Sequence, residues 1–308
     1  MPSVLTHFEF YKQAFNKLDI GIIGTQGPDP FFYYGKAISP TKSARELRKF
    51  GTFLHKVDPA VTFKYLLEYI EGSCIQEKEV LITYLKGMIA HYILDKTCHP
   101  YIWYKSGFVT PSDNNKFKYF KNHADIESAI DVLLMDHFKD KTKTYEAISF
   151  NKKDLKIVSK MIYSLGRGCY KNKFIRMNSF YKAVKSMHFV NKALYDKNGK
   201  KKAFLDKYLG FTPASPMCEP QLSDIKLDFL NLEKKNWSNV VDNKVVGNFD
   251  FYELFFKALD EFKKVNEKID LILKNKKSPS YVYEIFKEIN HDGIGLNQKL
   301  TYFDCIFK

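Results

Sequence analysis

Apolar residues recur at helical spacing along most of the chain, and no alternating strand-like pattern runs for more than a few residues. That periodicity sets the fold class as all-α. Leu5, Phe8, Tyr11 and Phe15 mark a helix over 3–17. Further helices are expected over 42–57, 59–72 (opened by Asp58-Pro59), 77–99, 118–138, 152–167, 172–196 and 250–275. Pro100 disfavours helical geometry at the residue before it, so the helix from 77 is expected to stop at His99. Between 20 and 40, Gly21, Gly24, Gly27, Pro28, Pro30, Gly35 and Pro40 punctuate a loop around the aromatic run Phe31-Phe32-Tyr33-Tyr34. Residues 107–115 read as a second loop and 197–202 as an exposed turn, and periodicity fades from 210 to 248.

The helix over 77–99 carries more than a core face. His91, Asp95 and His99 follow Tyr84 and Met88 along one stripe. Each four-residue step turns only about 40°, so the three side chains share a face. Imidazole and carboxylate one turn apart is how a single helix offers two ligands to one metal ion. His123 and Glu127 repeat that spacing on the next helix. A short connection makes the two helices antiparallel neighbours, so the two pairs can face each other across a bundle core. A buried, ionised Asp95 is costly unless it is paired or metal-bound. The bland reading of any one pair is a buried histidine hydrogen-bonded to a carboxylate; two pairs and an extra histidine favour a metal. His137, His188 and His291 have no partner at ligand spacing and read as surface or capping residues. Asp125 and Asp131 either orient the histidines or are solvated, and Trp103 and Tyr104 either wall the site or pack the core.

Composition narrows the classes. With 308 residues, 45% apolar and 16% aromatic, the chain is too apolar for general disorder and long enough for a sizeable core. No run of 18 apolar residues suggests a transmembrane helix. The N-terminus lacks a basic segment followed by an apolar one, which points to a cytoplasmic protein unless a leader lies upstream. Cys74, Cys98, Cys169, Cys218 and Cys305 stand singly, so neither a disulfide framework nor a thiolate zinc knuckle is expected. The net charge of +14 would attract phosphorylated substrates, anionic membrane or nucleic acid. The lysines are spread along the chain, however, with one short run at Lys200-Lys201-Lys202, and no aromatic-basic repeat marks an RNA-binding sheet.

Four segments in order carry a resemblance: Gly27-Pro28-Asp29 before the aromatic run, Phe53-Leu54-His55, Ala90 to Pro100 (AHYILDKTCHP), and Asn122 to Glu127 (NHADIE). Together with an upstream His7, they resemble the zinc-dependent phospholipase C family of bacteria, related to zinc-dependent single-strand nucleases. The motifs lie within roughly residues 1–135; Asn231 to Trp237 is similar to the family's C-terminal part only weakly. The resemblance implies a multi-helix bundle, with a metal-binding core over 1–168 and a C-terminal helical region over 169–308 packed on the same domain.

It also implies two or three zinc ions. Asp29, His55, His91 and Asp95 would hold the first, His99, His123 and Glu127 the second, and His7 with Asp95 a third. Secreted members complete the third site with an N-terminal Trp; this chain begins Met1-Pro2. The implied activity is hydrolysis of a phosphate ester, most naturally a phospholipid head group, by a metal-activated hydroxide, with Asp29 as ligand and general base. The family's mixed His/carboxylate set suits zinc better than magnesium. Choline-preferring relatives carry aromatics where this chain has Pro30 and Thr52, so a cation–π cage is not supported there. Two other classes stay open: a single-strand nuclease or phosphatase on the same zinc site, and a non-catalytic helical protein that zinc only staples.

Overall fold

The computed structural model describes residues 4–108, 116–209 and 217–301. Its α-helices are α1 (Val4–Phe15), α2 (Gly21–Gly24), α3 (Lys42–Lys56), α4 (Pro59–Glu71), α5 (Ile75–Ser106), α6 (Lys116–His137), α7 (Lys152–Ser164), α8 (Ser179–Leu194), α9 (Lys200–Leu209), α10 (Phe251–Leu273) and α11 (Val282–Ile285). The described strands are a short antiparallel pair, β1 (Trp237–Ser238) and β2 (Val245–Gly247). The fold is all-α. No described helix is long and apolar enough to cross a membrane. The loop expected at 107–115 and the N-terminal Met1-Pro2 fall largely or wholly outside the described residues, as does Cys305.

Helix α5 is the axis of the molecule. Its 32 residues span about 48 Å, and it packs against α1, α2, α4, α6, α7 and α10. Its middle is apolar nearly all round, with Leu81, Leu85, Ile89, Ala90, Ile93 and Leu94 buried, as befits a helix covered on every side. Helix α10 closes the bundle over α1 through ring contacts Phe10–Phe255 (5.3 Å) and Phe15–Phe262 (5.4 Å). It begins with a reciprocal capping box in which Asp250 and Glu253 each accept the other's backbone N–H.

Four local expectations are corrected. Helix α5 does not stop at His99 but runs through Pro100 to Ser106. Proline cannot donate to the carbonyl four residues back, and that carbonyl, on Lys96, is covered by Gly293 from the far end of the chain. Helix α8 starts at Ser179, not 172. Asn172 Oδ1 instead accepts the amides of Phe174 and Ile175, and Ser179 Oγ accepts that of Arg176, which holds a turn in place of helix. The turn expected at 197–202 contains the start of α9, where Asp196 accepts the amide of Lys202. Inside the loop expected at 20–40 lie α2 and a 3-10 turn over Asp29–Tyr33.

Candidate metal centre

The local fold delivers four of the five histidines, all but His7, with Nδ1 already engaged. In α3, His55 Nδ1 bonds to the Gly51 carbonyl one turn back (2.8 Å). His91 Nδ1 bonds to the Thr25 carbonyl (2.9 Å), just after α2. His99 Nδ1 bonds to the His291 carbonyl (2.8 Å), and His123 Nδ1 meets Ser106 Oγ at 3.5 Å. Each such contact fixes the ring and turns Nε2 toward the interior, the arrangement found behind metal-bound histidines. Gly27 makes room for this. Its φ is +48°, and a Cβ there would stand 2.2 Å from the His91 ring, so the Gly-Pro-Asp turn brings Asp29 beside His91 only because residue 27 has no side chain.

All eight predicted residues converge, in three trios whose donor atoms lie within 4.8 Å of one another: His7, His91 and Asp95; Asp29, His55 and His91; His99, His123 and Glu127. His55 Nε2 is 3.1 Å from Asp29 Oδ1. Asp95 lies between two rings, its Oδ1 3.2 Å from His7 Nε2 and its Oδ2 3.1 Å from His91 Nε2. Glu127 Oε1 is 3.2 Å from His123 Nε2 and 3.4 Å from His99 Nε2. Six of the eight are buried, and His55 and His99 are half-buried. His91 is thus shared between two trios, whereas its expected partnership was with the first alone.

Two observations bear on whether a metal fits. Donors about 2.0–2.2 Å from a tetrahedral zinc stand roughly 3.3 Å apart, and the five Nε2–carboxylate separations run from 3.1 to 3.4 Å. His91 Nε2, buried and 3.1 Å from Asp95 Oδ2, has no well-aligned hydrogen-bond partner among the described residues. The charges agree. Burial opposes ionisation of Asp95, but His91 and His99 outweigh it and hold the carboxyl well below the usual range. Burial likewise works against a charged His99, yet Asp95 and Glu127 push it up to about 10. The carboxylates therefore demand positive charge in a largely buried place, and the histidines and carboxylates together are a zinc donor set.

The surrounding residues have separate duties. Asp131, on α6, accepts the amides of Leu5 (3.0 Å) and Thr6 (2.8 Å) and the Thr6 hydroxyl (2.6 Å). It thereby caps α1 from outside and fixes the turn that presents His7. Asp125 pairs with Lys121 and Lys202. Trp103 covers His123 (ring centroids 4.2 Å apart) and donates Nε1 to Asp292 (3.2 Å), so it walls the site, while Tyr104 lies against Trp237. Of the aromatic run, Phe31 and Tyr33 are buried in the core and Phe32 stacks on His55 at 5.5 Å.

One residue read as surface or capping is neither. His291 is buried, with its ring 5.0 Å from that of His55 and 5.4 Å from that of His91. Burial, then the neighbouring His55 and His91, holds it well below the ordinary histidine range. No spacing in the sequence ties it to the centre; the single local sign is the Asn290-His291-Asp292-Gly293 turn. Of the other two, His137 is exposed and His188 half-buried.

Comparison with known proteins agrees with this geometry in one respect and is silent in two. The family model described as zinc dependent phospholipase C matches residues 6–178. A search of curated proteins and a search of solved structures each returned no match.

Proposed function

Because the chain belongs to the zinc-dependent phospholipase C family, we propose that its buried His/carboxylate cluster binds at least two zinc ions and hydrolyses a phosphodiester, a phospholipid head-group ester in the first instance. The observation that carries this is the set of donor separations, 3.1 to 3.4 Å across five pairs, together with engaged Nδ1 atoms behind His55, His91 and His99. On this reading His55, His91, Asp29 and Asp95 serve a first ion, His99, His123 and Glu127 a second, and His7 with Asp95 and His91 a third.

Zinc bound there supplies Lewis acidity, which brings the pKa of water toward neutrality and neutralises charge building on phosphate oxygens. The chain's own residues do the rest. Asp29, 2% exposed, accepts the proton of the attacking water on the carboxylate oxygen not facing His55. Trp103 and Phe32, lying on His123 and His55, keep bulk water from the flanks. His99, His123 and Glu127 would supply three protein donors to an ion there, the number typical of catalytic zinc sites and not of closed structural ones. Residues 169–308 belong to the same unit in this proposal, since Tyr92, His99 and Trp103 of α5 all bond to residues 289–292.

The test is elemental analysis of protein purified without chelator, followed by turnover of matched phosphatidylcholine, phosphatidylethanolamine and phosphatidylglycerol with single-stranded DNA alongside. Two or more zinc equivalents and lipid turnover without choline preference are expected, because Pro30 and Thr52 offer no aromatic face. Less than about half an equivalent, with no uptake on adding zinc, would sink the proposal. DNA cleavage without lipid turnover would hand the site to the nuclease reading, and zinc without any turnover would leave it structural.

A further inference from the structure

His291 lies far outside the segment that the family model matches, which ends at 178, yet its backbone and ring both enter the centre. Its amide donates to the His55 carbonyl (3.1 Å) and its carbonyl accepts His99 Nδ1 (2.8 Å). The turn around it is held on both sides. Tyr92 Oη donates to the Ile289 carbonyl (2.8 Å), Asn290 Oδ1 accepts the amides of Asp292 and Ile294, and Trp103 donates to Asp292. Gly293, at φ +73°, sits where a Cβ would stand 2.3 Å from the Lys96 carbonyl and 2.6 Å from the Pro100 ring. The imidazole is therefore delivered to a fixed place beside His55 and His91.

The backbone of His291 is satisfied, but its ring is not. Residue 291 is 7% exposed, and Nδ1 is buried with no hydrogen-bond partner among the described residues. A buried polar nitrogen in that condition is unfavourable until something meets it. His291 belongs to none of the three donor trios that converge within 4.8 Å. A ring adjoining two of the liganding imidazoles but outside their donor sets can reach what binds at the centre from the other side.

We propose that His291 is a substrate-binding residue, whose imidazole N–H donates a hydrogen bond to a phosphate oxygen held at the centre of Asp29, His55 and His91. The inference rests on reading that cluster as a zinc-dependent phosphate-ester site. Phosphate oxygens are shared by the ester and by free phosphate, and a hydrogen bond to an anionic oxygen is among the stronger kinds.

The experiment uses the full-length, zinc-loaded protein with two probes: inorganic phosphate titrated by calorimetry, and hydrolysis of bis(p-nitrophenyl) phosphate. His291→Ala should keep wild-type zinc content and melting temperature, while phosphate Kd rises and kcat/KM falls by roughly 10- to 100-fold. His291→Asn carries an N–H donor near the position of Nδ1 and should restore most of that loss, which a merely space-filling role would not predict. A loss confined to the diester assigns the contact to the ester; a loss confined to the titration assigns it to free phosphate. Unchanged Kd and kcat/KM in His291→Ala, beside a zinc-loaded and active wild type, would overturn the inference and leave the proposed function standing. Loss of zinc from both variants would also overturn it, by making His291 a ligand or a strut. A wild type with neither zinc nor turnover would overturn the proposed function itself, and the inference with it.

Discussion

Replacing Asp131 with alanine is expected to destabilise the metal-free protein by about 3–5 kcal/mol, although Asp131 is in none of the donor trios. The carboxylate is 6% exposed and accepts two amides and a hydroxyl at the start of α1. Alanine leaves the amides of Leu5 and Thr6 without an acceptor, at about 1–3 kcal/mol each. It also removes a negative charge from the N-terminal end of the helix, worth about 0.3–1 kcal/mol. The assay is urea unfolding of chelator-treated protein followed by circular dichroism, so that zinc binding does not mask the loss. Thr6→Val provides an internal check. Alone it should cost about 1 kcal/mol, and in the Asp131→Ala background much less, because its hydroxyl has then already lost its acceptor. A loss below about 1 kcal/mol for Asp131→Ala, or strict additivity of the two changes, would refute the claim that α1 is capped from α6.

Two further outcomes follow from the buried charges. Among single changes in the trios, Asp95→Asn should cost most, more than about 100-fold in kcat/KM with loss of zinc, because Asp95 alone stands between the rings of His7 and His91; a folded Asp95→Asn that keeps wild-type metal and rate would contradict this. Burial pushes Glu219 up to about 7 although the Thr144 amide donates to it. Its folded pKa thus lies above its unfolded one, so the stability that Glu219 contributes should fall as pH rises from about 4.5 to 7 and level off beyond. Glu219→Gln should remove about 2–3 kcal/mol of that fall; parallel urea-unfolding profiles of the two proteins between pH 4 and 8 would contradict it.

What could be read from the sequence was what is local. His91, Asp95 and His99, and again His123 and Glu127, stand one helical turn apart, so their convergence followed from helical geometry once the helices were placed. Asp29 and His55 needed the order of motifs, because a glycine turn and a separate helix bring them in. The ends of helices were less legible. Lys197 to Lys202 carries turn chemistry, yet Asp196 caps a helix there whose Phe204 and Tyr208 remain largely exposed, so no apolar stripe announced it. Pro100 gave a sound local reason to stop α5 that a contact from residue 293 overrides. His291 was illegible for the same reason: its neighbours are chosen by tertiary packing, and no period in the sequence connects position 291 to positions 55, 91 and 99.

The hydrogen bond from His99 to the carbonyl of residue 291 spans 192 positions of the chain. During synthesis the helix bearing His91, Asp95 and His99 leaves the ribosome long before its last strap exists. Closing so wide a loop is entropically expensive and is expected late in folding. Until then the Lys96 carbonyl lacks its cover and the ring of His99 lacks its guide. The order of assembly is thus written into the geometry: helices first, the tail last, and only then a second donor trio with a fixed orientation.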